Sequence, residues 1–169
     1  MLFRSGIAGL FAGAKTETGK AIYASFPYDS GLATGGWGFW KFNSPLVLDS
    51  GAVGAIFKVP PSPASLSDGP GFALGLDIDQ ALAELQATDG TYTESALGFM
   101  TPPTDQDYAA VRNRGGKIMV YHGVSDPIFS VEDTERWYRG LLDQSGGAAS
   151  RFARLYRVPG MGQIGRAHV

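Results

Sequence analysis

Two apolar runs separated by an amphipathic helix constrain the fold of this chain most strongly. The first run, Lys117 to His122, is nearly continuous and contains β-branched residues, which is typical of a strand buried on both faces of a sheet. A helix is predicted from Val131 to about Asp143 because its apolar residues share one face. A second strand is predicted from Arg151 to Val158, and strand, helix and strand of these lengths indicate a right-handed βαβ crossover in a parallel sheet.

Capping signals mark the ends of the predicted helices. Ser130 and Asp133 resemble a capping box, in which the hydroxyl accepts an N–H of the first turn and the carboxylate bonds back. Upstream, Asp105 to Arg114 is predicted to form a short amphipathic helix that Gly115 and Gly116 terminate. The chain from about Thr101 onward therefore predicts regular α/β structure.

The first hundred residues lack a sustained periodicity. Glycine and proline, 24 and 10 in a chain of 169 residues, interrupt the pattern repeatedly, for example between Pro60 and Pro70. This part predicts irregular structure with long loops, and Asp77 to Leu85 has room for one or two helical turns. The four aromatic residues between Trp37 and Phe42 indicate either local core under a loop or the lining of a ligand pocket.

Composition and charge exclude several classes of partner and site. A formal net charge of −2 leaves no basic surplus to neutralise phosphates, so no nucleic-acid partner is expected. No apolar run approaches the roughly 20 residues of a spanning helix, so no membrane partner is expected either. The chain has no cysteine, which excludes zinc thiolates, cysteine nucleophiles and disulfides within it.

The loop after the first predicted strand carries the clearest candidate for catalysis. Asp126 precedes Pro127 directly before a helix N-terminus, at the carboxyl end of a strand, where α/β sheets place functional groups. A carboxylate there could orient a histidine that acts as general base, and that histidine is expected in the loop Pro159 to Gly162. Acid followed by histidine is the order of α/β-hydrolase triads. An aspartate that only makes an Asx turn or a helix cap is an equally good interpretation.

The residues at both ends of the sequence, 1–5 and 163–169, are predicted to be of non-biological origin. Residues 163–169 are the translation of one base C followed by AGATCGGAAGAGCACACGTC, a sequencing-library adapter. Residues 1–5 match GTGCTCTTCCGATCT, from the reverse complement, read from GTG as a start codon. We therefore expect a native segment from Gly6 to Gly162 of a longer protein, in which His168 has no role and Gln163 keeps only the first base of a native codon beginning with C.

Two segments, Gly115 to Pro127 and Val158 to Gly162, resemble the tannase and feruloyl esterase family of serine esterases, which includes relatives acting on terephthalate esters. The resemblance implies that Asp126 is the acid of a Ser-His-Asp triad. It also implies that His122 and Phe129 border the acyl pocket, where Phe129 would stack on an aromatic acid. A histidine at the strand end that bonds only to backbone is the alternative interpretation of His122.

The resemblance also implies what lies outside this chain. In the family a His-Cys pair follows the Gly-Met-Gly motif, and a His codon begins with C, so position 163 would natively be the catalytic histidine. The family's nucleophile lies upstream in a Gly-Cys-Ser motif, whose cysteine pairs with the one beside the histidine. Its Asp-rich calcium loop would also lie upstream, so no cofactor is expected here. Ser125 lacks the final glycine of a G-x-S-x-G elbow and is interpreted as a loop residue.

The implied fold is α/β: a partial α/β-hydrolase fold. Residues 101–162 would form the last βαβ unit of the catalytic sheet, and residues 6–100 an irregular remnant of an inserted lid domain. The implied function is part of a secreted or periplasmic carboxylic-ester hydrolase that acts on small aromatic esters, such as gallates, ferulates or terephthalates. The chain alone would be inactive, since of the triad it holds only the acid. The alternatives are a non-catalytic α/β ligand-binding module and a different α/β hydrolase, against which the Pro-Gly-Met-Gly motif argues.

Overall fold

The structure is a computed structural model that describes residues 2–101 and 108–162. These residues form two compact units, one with residues 2–15, 20–37 and 108–162 and the other with residues 16–19 and 38–101. In chain order the elements are α1 (Leu2–Ala12), a 3₁₀ turn (Ser30–Ala33), α2 (Gly35–Gly38), two π-helical turns (Phe39–Asn43 and Pro45–Asp49), α3 (Ser50–Ala55), α4 (Ala64–Ser67), α5 (Gly69–Leu74), α6 (Ile78–Gln86), α7 (Ala96–Met100), α8 (Ala109–Asn113), β1 (Ile118–Gly123), α9 (Val131–Gln144), a second 3₁₀ turn (Ala148–Arg151) and β2 (Ala153–Val158).

Two parallel strands joined by a helix form the sheet. β1 pairs with β2 so that Ile118 lies opposite Ala153 and Gly123 opposite Val158, and α9 connects the two strands. The predicted strand, helix and strand are therefore confirmed. The second strand begins two residues later than predicted, because the chain makes a 3₁₀ turn before it and Phe152 is buried in the core.

One face of α9 packs against one face of this sheet. The hydroxyl of Tyr138 donates a hydrogen bond to the carbonyl of Ala153 at 3.2 Å, which links the helix to the start of β2. The core of this unit consists of Leu141, Ala149, Phe152 and Ala153, with Tyr108, Ile118, Trp137, Tyr138 and Leu142 packed around it. This packing holds the crossover and, with it, the two loops at the carboxyl ends of the strands.

The face of the sheet opposite α9 is exposed. Met119, Tyr121 and Tyr156 lie there and are 69%, 52% and 50% exposed, while their neighbours in β1 are partly buried. In the described part of the chain the first strand is therefore buried on one face only, whereas its apolar pattern is typical of burial on both faces. The apolar run is suited to a sheet covered on both sides, and α9 covers one of them.

A serine caps the N-terminus of α9, but the predicted capping box does not form. The Ser130 hydroxyl accepts the N–H of Glu132 at 3.2 Å, as expected for an N-cap. The N–H of Ser130 donates to the Tyr23 hydroxyl at 3.0 Å, whereas the Asp133 carboxylate pairs with Arg136 at 3.1 Å. An aromatic residue distant in sequence thus takes the place predicted for Asp133.

The helix before β1, α8, ends as predicted. Gly115 has a positive φ of 74°, and the N–H groups of Gly115 and Gly116 donate to the carbonyls of Arg112 and Val111 at 2.9 Å each. This is the Schellman arrangement, which satisfies carbonyls at a helix end and requires a left-handed residue that glycine adopts without strain. Of the predicted helix, residues 105–107 lie outside the described part of the chain.

Short helices occupy much of the segment that was predicted to be irregular, which corrects that prediction. The helices α5, α6 and α7 begin at side chains that accept a backbone N–H: Asp68, Asp77 and Ser95. Helices of four to nine residues are too short to establish a periodicity, and these caps are the signal that the sequence offers for them. The two helical turns considered for Asp77 to Leu85 agree with α6.

Candidate active site

Asp126 lies buried in the loop between β1 and α9 and is only 7% exposed. Its Oδ1 atom accepts the N–H groups of Ile128 at 2.8 Å and Phe129 at 3.0 Å, which is the bonding expected of an Asx turn before a helix. Its Oδ2 atom lies 3.4 Å from Nε2 of His122. One carboxylate oxygen therefore serves the turn, while the other faces an imidazole, and the triad role of Asp126 stays a prediction.

His122 lies near the end of β1 and is held by two hydrogen bonds. Its Nδ1 atom is 2.7 Å from the Thr134 hydroxyl, and its Nε2 atom is 2.9 Å from the carbonyl oxygen of Phe129. Because a carbonyl only accepts, Nε2 carries the proton and, in the neutral ring, Nδ1 accepts from Thr134. The backbone bond of the alternative interpretation is thus present, although the side chain also forms part of a cavity wall.

An open cavity of about 480 Å³ brings the three predicted site residues together. Phe129 is largely exposed there, so its ring offers an apolar surface to a ligand. The described residues that line it are Tyr23, Tyr121, His122, Asp126, Phe129, Ser130, Asp133 and Thr134. The aromatic and polar groups of this wall suit a small aromatic molecule that carries an oxygen-containing group.

A segment far upstream, residues 23–31, supports this site, and we call it the strap. Tyr23 accepts the N–H of Ser130, and the Ser130 hydroxyl donates to the carbonyl of Ser25. Burial raises the pKa of the Tyr23 hydroxyl, so this group stays protonated in the cavity wall. No motif in the sequence indicates this role, because the contacts join residues more than a hundred positions apart.

Asp29 joins the strap to the loops that follow both strands. Its Oδ2 atom accepts hydrogen bonds from the Ser125 hydroxyl, from the N–H of Gly160 at 2.7 Å and from the N–H of Gly31 at 3.3 Å. These donors, Ser125 above all, hold the pKa of Asp29 below its ordinary value. Ser125, predicted to be a loop residue, is buried with its hydroxyl donating to Asp29.

Metal-binding and membrane-spanning features can be judged for residues 2–101 and 108–162. In these ranges no group of three or more histidine, aspartate or glutamate side chains is arranged to hold a metal ion. None of the helices there combines the length and the apolar character needed to cross a bilayer. Position 163, where the catalytic histidine is predicted, and His168 lie outside the described residues.

Comparison with known proteins identifies one relative that matches most of the chain and others that match about a third of it. Mono(2-hydroxyethyl) terephthalate hydrolase from Piscinibacter sakaiensis is 33% identical over 167 residues, which cover 89% of this chain and 27% of that protein. Feruloyl esterase B from Aspergillus niger is 39% identical over 64 residues, 36% of this chain and 12% of its own length. Feruloyl esterase C from Talaromyces stipitatus is 34% identical over 62 residues, 35% of this chain and 12% of its own length. The chain therefore spans about a quarter or less of the length of these relatives.

A family model described as tannase and feruloyl esterase matches residues 8–169. This range includes residues 163–169, so the interpretation of those residues as adapter sequence stays a prediction. The match confirms the resemblance of the segments Gly115 to Pro127 and Val158 to Gly162, and it extends far beyond them. The chain belongs to the tannase and feruloyl esterase family.

Proposed function

We propose that this chain is part of a serine carboxylic-ester hydrolase whose Ser-His-Asp triad takes its acid from Asp126. The observation that carries the proposal is the environment of Asp126, which is buried at the carboxyl end of β1 and has one oxygen fixed by two N–H groups. Family membership and the adjoining cavity support the same conclusion. In the proposal, position 163 is natively the histidine and the serine lies upstream of this chain.

In the proposed mechanism the two oxygens of Asp126 have different tasks. Oδ1 remains bonded to the N–H groups of Ile128 and Phe129, which fixes the orientation of the carboxylate. Oδ2 accepts the Nδ1–H of the histidine, selects its tautomer and stabilises the imidazolium. That imidazolium forms when the histidine takes the proton of the attacking serine, and it returns the proton to the leaving alcohol. Water then hydrolyses the acyl-enzyme.

The proposed substrates are small esters of aromatic carboxylic acids. The names of the relatives specify a terephthalate ester and feruloyl esters as their substrates. In this chain the exposed ring of Phe129 offers a stacking surface in the cavity, and His122 forms part of the same wall. An aromatic acyl group would therefore lie against Phe129, with its ester carbonyl turned toward the triad.

The rest of the proposal concerns fold and location. Residues 101–162 would form the last βαβ unit of an α/β-hydrolase sheet, and residues 6–100 the end of a lid inserted before it. Upstream helices of such a domain would cover the exposed face of the sheet at Met119, Tyr121 and Tyr156. A secreted or periplasmic location accords with the cysteine pair that the family resemblance implies outside this chain, since disulfides persist in oxidising compartments.

The gene itself tests the triad first. A longer clone that covers the region beyond Gly162 is expected to encode histidine at position 163, followed by cysteine. The reason is the family pattern together with the single base C that the adapter interpretation leaves to the native codon. Any other codon at 163 would remove the proposed base. A genomic continuation that encodes Ile164-Gly165-Arg166 would contradict the adapter interpretation.

The enzyme encoded by that longer clone tests the function. We call it the intact enzyme and number it as this chain. It is expected to hydrolyse esters of ferulic, gallic or terephthalic acid faster than an aliphatic ester of the same alcohol, and replacement of the upstream serine should abolish this activity. An intact, folded enzyme that hydrolyses none of these esters would overturn the proposal.

Gly123 tests the close approach of the two loops next to the proposed triad. A Cβ atom at this position would lie 2.5 Å from the carbonyl oxygen of Gly162 and closer still to that of Met161. We expect Gly123→Ala to lower the free energy of unfolding of the intact enzyme by about 1–3 kcal/mol through overpacking. Urea unfolding measures this change.

A glycine in α9 provides the matched control for this substitution. A Cβ atom at Gly140 would meet no atom within 4 Å apart from its chain neighbours and the backbone of its own helix. Gly140→Ala is therefore expected to raise the free energy of unfolding by roughly 0.5–1 kcal/mol, because glycine is unfavourable inside a helix. Equal effects of the two substitutions would contradict the close approach at Gly123.

A further inference from the structure

One carboxylate oxygen in the strap collects hydrogen bonds from both loops at the edge of the sheet. We call residues 123–126 the acid loop and residues 159–162 the histidine loop, since the latter precedes position 163. Oδ2 of Asp29 accepts from the Ser125 hydroxyl of the acid loop and from the N–H of Gly160 in the histidine loop at 2.7 Å. The strap lies 96 and 131 residues away from these partners. Asp29 is therefore a tertiary link between the loops and not a local turn residue alone.

The two loops also contact each other, so a displacement of one affects the other. The N–H of Ser125 donates to the carbonyl of Met161 in the histidine loop at 3.0 Å, and the N–H of Val124 donates to the carbonyl of Val158, the last residue of β2, at 3.0 Å. At Gly31 a Cβ atom would lie 2.6 Å from the carbonyl oxygen of Gly160. The strap, the acid loop and the histidine loop therefore fit together with no space for a further methyl group at this point.

We propose that Asp29 is a positioning residue for the esterase triad, whose carboxylate ties the acid loop to the histidine loop and so holds Asp126 in place relative to residues 159–162. This inference rests on the proposed function. Asp29 does not itself contact the ester. It acts through Ser125 and Gly160, each of which lies within three residues of one of the two triad positions.

The bonding pattern specifies which substitutions keep this link. All three donors converge on one oxygen, Oδ2 of Asp29, so a neutral carbonyl oxygen in the same place can accept them. Asparagine supplies that oxygen and alanine does not. Alanine would also leave the buried hydroxyl of Ser125 without its acceptor, and the loops would then move to find another.

Steady-state kinetics of the intact enzyme test the link. Asp29→Ala is expected to lower kcat by roughly 10- to 100-fold, because displacement of a triad member by about 1 Å has effects of that size. KM should change by less than about threefold, because the acyl pocket at Phe129 is left in place. Asp29→Asn is expected to retain at least about a third of the wild-type kcat, because its carbonyl oxygen accepts the same bonds.

A second capping aspartate provides the control. Asp68 accepts the N–H of Gly71 at 2.9 Å at the start of α5, much as Asp29 accepts that of Gly31 at the start of its 3₁₀ turn. Asp68→Ala should lower the melting temperature and leave kcat unchanged. A wild-type kcat for Asp29→Ala, or an Asp29→Asn variant as slow as Asp29→Ala, would overturn the inference.

Two further measurements keep the inference separate from the proposed function and from folding. If Asp29→Ala does not fold, Ser125→Ala removes one donor and should lower kcat by roughly 3- to 10-fold, and an unchanged kcat would overturn the link.

If the wild-type intact enzyme hydrolyses no ester, the proposed function fails. The link itself is then tested by hydrogen exchange. Asp29→Asn should leave exchange at Gly160 slow and Asp29→Ala should accelerate it at least tenfold relative to the core of α9; equal rates would overturn the link.

Discussion

Replacing Asp126 by asparagine in the intact enzyme is expected to lower kcat by on the order of 10⁴-fold while the protein remains folded. The asparagine carbonyl can still accept the N–H groups of Ile128 and Phe129, so the turn is kept. Its amide group would then face the histidine in place of Oδ2. An amide N–H favours the tautomer with an unprotonated Nδ1, which leaves the proton on Nε2, where the histidine must accept the proton of the serine.

The control for this substitution is another aspartate of the same unit. Asp143 is exposed on α9, and Asp143→Asn should leave kcat within a factor of two of wild type. Thermal unfolding of both variants separates loss of chemistry from loss of structure. A decrease in kcat of less than about tenfold for Asp126→Asn would identify Asp126 as a turn residue without a catalytic role.

The 169-residue chain by itself is expected to hydrolyse aryl esters no faster than buffer does. An acyl-enzyme mechanism requires the nucleophile, the base and the oxyanion hole together, and in our proposal the nucleophile and base are missing from this chain. The measurement is hydrolysis of a feruloyl ester by the purified chain, with the intact enzyme at equal concentration as positive control. Turnover that Ser125→Ala abolishes would mean that this chain is a complete enzyme.

The same preparation is expected to bind hydrophobic dyes or to aggregate. Three large apolar side chains, Met119, Tyr121 and Tyr156, lie together on the exposed face of the sheet. Within residues 2–101 and 108–162 the sheet has two strands, so in this part of the chain each presents an edge that can pair with another copy. A soluble monomer with a cooperative thermal transition would contradict this expectation.

The crossover could be predicted from the sequence because its signals are local. The predicted ends of β1 and α9 each lie within one residue of the observed ends. The pair Gly115 and Gly116 terminates α8 as expected. These elements depend on spacing between residues near one another in the chain. The site residues His122 and Phe129 were inferred from the family resemblance, whereas Asp126 was also indicated by its place after a strand; the roles of all three stay predictions.

The remainder depends on contacts that a single sequence does not encode locally. Nothing around Asp29 or Tyr23 indicates that they bond to the loop residue Ser125 and to the cap residue Ser130. The capping box was predicted from the local spacing of Ser130 and Asp133. It does not form, because the distant hydroxyl of Tyr23 accepts the Ser130 N–H that Asp133 would otherwise accept. The apolar pattern of β1 is the same whether or not a second layer is present, so the pattern alone does not specify which face of the strand is exposed.

The strap also determines the order in which the site can assemble during folding. β1, α9 and β2 lie within about 40 consecutive residues, whereas Asp29 is 96 residues from Ser125 and 131 from Gly160. Long loops are slow to close because the entropy of closure is lost before the contacts form. During synthesis the strap leaves the ribosome well before its partners exist. We therefore expect the acid and histidine loops to reach their final separation last, and local unfolding of the strap to abolish catalysis while the crossover is still folded.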